Sequence, residues 1–223
     1  MSVFSFVKRQ WRDIPKTILF NFKMFDIKTA IKLPVLISHN VYIEEIHKGC
    51  IEIPENAKRF SIKIGIEGVS GVSFQRKGYL LLSENSKLVF EGSASLSSGI
   101  SIRCLNGIIY FGDNFYCNCN LGIICAKHVE FGESCILGWN IHIRDCDGHE
   151  IYKNKKRINE DKSVIVGNHV WIGQDVKILK GSRIPNNSII AMNSCVTKVF
   201  EEENVIIGGY PAAIVKKDIE WRI

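Results

Sequence analysis

Between Val166 and Val196 the apolar positions fall on a strict period of six. Val166, Ile172, Ile178, Ile184, Ile190 and Val196 mark it, and small or β-branched residues follow four places on at Val170, Val176, Ser182, Ser188 and Ser194. Gly167, Gly173, Ala191 and Thr197 stand directly after the apolar residue. Six residues turn an α-helix through about 600°, roughly 240° out of register, so a helix does not explain the pattern. A single strand alternates every two residues and would not single out every sixth. A three-sided solenoid does explain it: one hexad per flat face, the aliphatic side chain pointing inward, the small residue turning the corner, three hexads to a coil.

The pattern extends upstream less regularly. Phe111, Cys117 and Ile123 share one register and Phe131, Leu137 and Ile143 another, with two residues inserted near Lys127–His128. Weaker hexads run through Phe90, Leu96, Ile102 and Ile108. The chain is therefore expected to be all-β, a parallel β-helix over 46–199 with ragged first coils. Residues 144–163, rich in Asp, Asn and Lys, break the repeat and read as a loop protruding from one corner; such insertions tend to map to a functional face. Residues 200–223 read as a last strand and a short basic cap, with helix as one option for 212–223. Residues 1–45 form an N-terminal amphipathic segment.

Composition narrows the class. At 46% hydrophobic and 23% charged, the 223-residue chain has the make-up of an ordinary globular domain. No stretch of 18 residues is free of charge, which argues against a membrane span. Basic residues concentrate in 1–37 (Lys8, Arg9, Arg12, Lys16, Lys23, Lys28, Lys32) among large apolar ones such as Phe4, Phe6, Trp11, Leu19 and Phe22. That segment either packs against the body or a neighbouring subunit, or lies peripherally on the inner face of an anionic membrane. The eight cysteines form no CxxC pair, and no secretory signal precedes them, so reduced thiols and a cytoplasmic location are expected. Walker, dinucleotide and nucleic-acid motifs are missing.

Val170-Trp171-Ile172-Gly173, Val196-Thr197-Lys198 and Gly208-Gly209-Tyr210-Pro211-Ala212 resemble the hexapeptide-repeat acetyltransferases. Asn114-Phe115-Tyr116-Cys117-Asn118-Cys119-Asn120 is similar to the galactoside and maltose acetyltransferase branch, and Asp145-Cys146-Asp147-Gly148-His149-Glu150-Ile151-Tyr152 to bacterial capsule and lipopolysaccharide O-acetyltransferases. The likeness spans about 105–217. It implies a left-handed β-helix, a homotrimer with active sites between subunits, and transfer from acetyl-CoA, as co-substrate and without metal, to a saccharide acceptor. The sugar hydroxyl of a surface polysaccharide or its precursor is the leading acceptor. An amino sugar or an antibiotic is the alternative within the class.

An alcohol is a weak nucleophile at neutral pH, so a positioned base must take its proton. His149, in the one large break of the repeat, matches the family's catalytic histidine, and an imidazole titrates in the right range. Asp147 or Asp145, or a backbone carbonyl, would orient it. The Gln174 backbone N–H matches the family's oxyanion donor. Asn118 matches an asparagine facing the substrate, or else forms a stacked ladder in the β-helix. On the donor side the resemblance places Trp171 beside the acyl tunnel, with Gly173 among the cofactor-binding residues, and Thr197 and Lys198 near the nucleotide end. The pantetheine arm is expected along Ala191 and Met192, and Lys216 and Lys217, after the Gly-Gly-Tyr-Pro turn, are placed to meet the 3′-phosphate. Trp171 reads equally as packing, and the lysines as solvated surface. Ala213 stands where relatives often carry arginine. The run Lys153-Asn154-Lys155-Lys156-Arg157 attracts an anionic acceptor or simply keeps the loop in water. Outside the class stand a non-catalytic scaffold and a zinc carbonic anhydrase-like lyase, which would need three imidazoles around one metal; His128, His142, His169, His39 and His47 otherwise read as structural or surface residues.

Overall fold

The computed structural model describes residues 11–66 and 76–222. Phe4, Phe6, Lys8 and Arg9 of the basic segment lie outside the described residues.

The hexads fold as their period requires, into a left-handed parallel β-helix of triangular section. Among the described residues its sides are sheets of nine, seven and six strands. Inward residues stack in register from coil to coil. The first sheet aligns Cys117, Leu137, Ile172, Ile190 and Ile207. The second aligns Ile123, Ile143, Ile178 and Val196, and the third Phe111, Phe131, Val166 and Ile184. All of these are buried. The earlier coils have longer strands, with a phenylalanine stack inside in which Phe111 is centred 5.2 Å from Phe90 and 5.4 Å from Phe131.

The corners differ in one respect from the sequence expectation. The residue that turns the chain is the one before the small residue: His169, Asp175, Gly181, Asn187 and Asn193 all have φ between 52° and 75°. Asn, Asp and Gly tolerate this left-handed conformation best. Val170, Val176, Ser182, Ser188 and Ser194 fill the inside of the corner instead.

The corner after the second sheet is repeatedly lengthened. Inward Ile102 and Phe111 are nine residues apart, Ile123 and Phe131 eight, Ile143 and Val166 twenty-three, and Ile178 and Ile184 six. Ile108 therefore does not continue the hexad from Ile102; Ile109 and Phe111 point inward. The 144–163 excursion is the largest lengthening of this same corner.

The N-terminal boundary differs from the expected one. The coil starts at Val35–Ile37 and Val41–Glu45, not at 46, because these strands pair with Ile62–Ile66 and Gly78–Leu82 of the next coil. Ahead of them α1 (Ile14–Met24), with Pro15 in its first turn, and α2 (Ile27–Ala30) cover the open end. The α1 side chains act as a substitute strand. Asn21 donates to Val35 O (2.7 Å) and accepts from Val35 N (3.2 Å), and Thr17 does the same with Ile37. At the other end the chain folds back as an antiparallel hairpin, Ile206–Gly209 with Ala212–Lys216, so the basic cap is a strand and not a helix. Beyond it Trp221 stacks on His169 at 3.9 Å.

Ile178 sits between Ile143 and Val196 in its column, with no exposure. Ile178→Ala should cost about 2–5 kcal/mol of unfolding free energy, read as a lower urea midpoint with an unchanged slope.

Candidate functional site

The excursion at the second-to-third-sheet corner is organised by two buried polar residues. Asp145, with no exposure, leaves the strand Ile141–Arg144 and accepts backbone N–H bonds from Ala126, Lys127 and His128, each at 2.7 Å. Its carboxylate thus caps the two-residue insertion of the coil below. The excursion closes at its base, where Lys162 N donates to Asp145 O (3.0 Å) and Gly181 N to Lys162 O and Ser163 O. Between these points Tyr152–Lys153 and Lys156–Arg157 pair as a small antiparallel hairpin.

Asn159 is the second organiser, and sequence reasoning missed it. Its amide N–H groups donate to His149 O and to Asp147 Oδ2, both at 2.8 Å, and its Oδ1 accepts from Ile151 N at 2.7 Å. Lys180, on the next coil, bonds Asp147 Oδ2 and Asn159 O. The backbone on both sides of Glu150 is therefore fixed, while the His149 imidazole stands exposed. Among the described residues its ring nitrogens have no hydrogen-bond or ion-pair partner. The Lys180 ammonium and Asn159 amide hold the Asp147 carboxyl below the usual carboxylate range. A depressed pKa keeps this latch closed at neutral pH and loses it only in acid, as pH falls through the folded value.

This corrects the roles expected for the two aspartates. Asp147 faces Lys180 and Asn159, and Asp145 faces backbone N–H groups; neither reaches the imidazole. The signal for Asn159 was absent from the sequence because its partners are brought to it only when the excursion closes.

A second group lies at a different corner, between the first and second sheets. Asn118, Gly138, Gly173 and Ala191 follow the inward column residues and stack along the prism edge, linked by N–H bonds of 2.8–2.9 Å to Leu137, Ile172, Ile190 and Ile207 O. The column tolerates little bulk: a Cβ on Gly173 would stand 2.8 Å from both Ile190 O and Met192 N. Beside it Gln174 and Met192 are exposed, and the Gln174 N–H has no acceptor among the described residues. Asn118 is buried, with its Oδ1 accepting from the Tyr116 hydroxyl at 3.0 Å. The stacked amide ladder belongs to its neighbours instead: Asn120 donates to Asn140 (2.7 Å), and Asn140 to Asp175 (2.9 Å).

The remaining candidates divide. Thr197 and Lys198 lie exposed at the His149 corner, two coils on. Trp171 projects from the first sheet, half exposed, with its ring 6.1 Å from Trp221. Lys216 is exposed at the end of the hairpin, whereas Lys217 is held by Glu202 at 2.7 Å. The other histidines are engaged separately: His128 with Glu130, His39 with Asp13, His169 beneath Trp221. His142 lies over Gly122 on the second sheet.

No family model matches the chain. Over 182 residues it is 32% identical to the polysialic acid O-acetyltransferase of Neisseria meningitidis, covering 69% of this chain and 83% of that protein. Over 111 residues it is 33% identical to the galactoside O-acetyltransferase of Escherichia coli K12, covering 49% and 54% of the two chains. Among solved structures its fold matches the polySia-specific acetyltransferase NeuO with a TM-score of 0.57 at 23% identity, over 85% of this chain and 73% of that one.

Removing the Asp145 carboxylate leaves three backbone donors without their acceptor. Asp145→Ala should lower stability by roughly 2–4 kcal/mol, measured by urea unfolding, and Asp145→Asn by less.

Proposed function

Because this chain belongs to the hexapeptide-repeat acetyltransferases, we propose that it carries the acetyl group of acetyl-CoA to a sugar hydroxyl of a bacterial surface polysaccharide or its precursor. The observation that carries this reading is the His149 corner: a free, exposed imidazole on a backbone clamped by Asn159, in the one long break of the repeat. His149 takes the proton of the acceptor hydroxyl as its oxygen attacks the thioester carbonyl carbon. The Gln174 N–H donates to the oxygen that becomes negative in the tetrahedral intermediate. When the C–S bond breaks, the imidazolium returns the proton to the departing sulfur, so ester and free thiol form with no acyl-enzyme. Exposed Met192 and the small column of Gly138, Gly173 and Ala191 suit an extended pantetheine arm lying against backbone. Lys198 and Lys216 suit its phosphates.

The two halves of this site sit at opposite edges of the second sheet, about 10 Å or more apart for a four-residue strand. One chain does not bring them together. In the proposed homotrimer, packed side by side, the His149 corner of one copy meets the Gln174 corner of the next. Among the described residues no helix is long and apolar enough to cross a membrane. The reading places the enzyme in the cytoplasm, with peripheral contact at the inner face of the membrane through residues 1–37.

His149→Ala should lower kcat by about 10²–10⁴-fold, followed by thiol release with a panel of saccharides, amino sugars and antibiotics, while light scattering still reports the trimer. Undiminished transfer would overturn the base assignment, and activity confined to amines or drugs would move the acceptor class. Asn159→Ala should cost about 10–100-fold in kcat through misplacement of the base, with the KM for acetyl-CoA unchanged. In the His149→Ala background the same change should cost nothing further; a purely structural role would lower both.

A further inference from the structure

The cap formed by α1 and α2 has two unlike faces. Thr17, Phe20, Asn21 and Met24 are buried against the first coil. On the opposite face of α1 Leu19 and Phe22 are exposed, and so are Trp11 just before α1, Ile27 at the start of α2 and Ile31 just after it, each 50–72% exposed. Large apolar side chains exposed together on a soluble surface mark an interaction site.

Its charges identify the partner. Arg12, Lys23, Lys28 and Lys32 are exposed around this apolar face, and Asp26 is the one exposed acid between residues 11 and 32, since Asp13 is buried beside His39. Lys58 and Arg59 extend the basic rim, with the exposed Glu55 as the one acid beside them: the Arg59 guanidinium bonds Lys32 O, and Lys32 bonds Glu55 O. An apolar face with a cationic rim is complementary to a layer of anionic headgroups over hydrocarbon. It is not complementary to itself, because two copies end to end would oppose one basic rim to another.

We infer that the outward face of α1 and α2 is a docking surface for an anionic phospholipid layer, with Leu19 and Phe22 inserting and the lysines and Arg12 meeting the headgroups. The inference deepens the peripheral contact of the preceding reading and in part rests on it. α1, at 11 residues, lies along the surface and does not traverse it. The cap occupies the end of the prism, away from the sides through which copies would assemble. In a cyclic trimer of parallel prisms all three caps face one way, so a flat surface is gripped by three weak sites at once.

The test is co-sedimentation of the full-length protein with vesicles of phosphatidylglycerol and phosphatidylcholine, against vesicles of phosphatidylcholine alone. Binding is expected to the anionic vesicles only and to fall as sodium chloride is raised. Leu19→Ser with Phe22→Ser should weaken it about tenfold or more, with circular dichroism and transfer to a soluble acceptor unchanged. Absence of binding to the anionic vesicles, or equal binding by the double variant, overturns the inference. So does a wild-type protein that doubles its mass end to end and reverts in the double variant. A protein that binds vesicles but transfers no acetyl group would sink the enzymatic reading and leave this one standing.

Discussion

Each coil must offer its backbone N–H and C=O groups to the coil above and below at one fixed register. The rest of the molecule follows from that demand. The register sets the columns, so Cys117, Leu137, Ile172, Ile190 and Ile207 have to suit one another as neighbours in a stack. It also leaves an unpaired edge at each end, a template for aggregation unless it is covered. Asn21 and Thr17 answer this at the start by pairing with Val35 and Ile37 through side chains, and the terminal hairpin answers it at the finish.

The flat sides are committed to pairing and burial, so chemistry is left to the corners. One corner is kept bare by Gly138, Gly173 and Ala191, and presents main chain to whatever lies along it. Another is free to take extra residues, and does so in successive coils until it throws out the segment that holds His149. Division of the acid–base group and the oxyanion donor between two corners makes self-association part of the proposed chemistry and not an addition to it.

The sequence made the late coils plain because their strands are short and their corners uniform, so every sixth residue repeats an environment. The first coils were obscure for the opposite reason. Strands of four or five residues and corners of changing length, as between Ile102 and Phe111, destroy the period while preserving the register. The placement of His149 in an exposed break of the repeat was legible from the sequence. Asn159 and Lys180 were not, because a residue ten positions away and another on the next coil become neighbours only once the excursion folds. The αL corner residues were hidden too: the eye is drawn to the small residues inside the turn, while the conformational demand falls on the Asn, Asp, Gly or His just before them.

The 144–163 excursion leaves and rejoins the prism at nearly one point, with Lys162 N bonded to Asp145 O. A segment pinned at its base and held by one lysine of the next coil, Lys180, behaves as an interchangeable cartridge. Its length and charge can drift, or be exchanged wholesale, without disturbing a rung of the scaffold, provided the Asp145 clasp, the Asn159 tie and the Lys180 bridge are retained. In the proposed chemistry, the acceptors such a scaffold serves are then set by what this one cartridge holds, and new ones become reachable without a new fold.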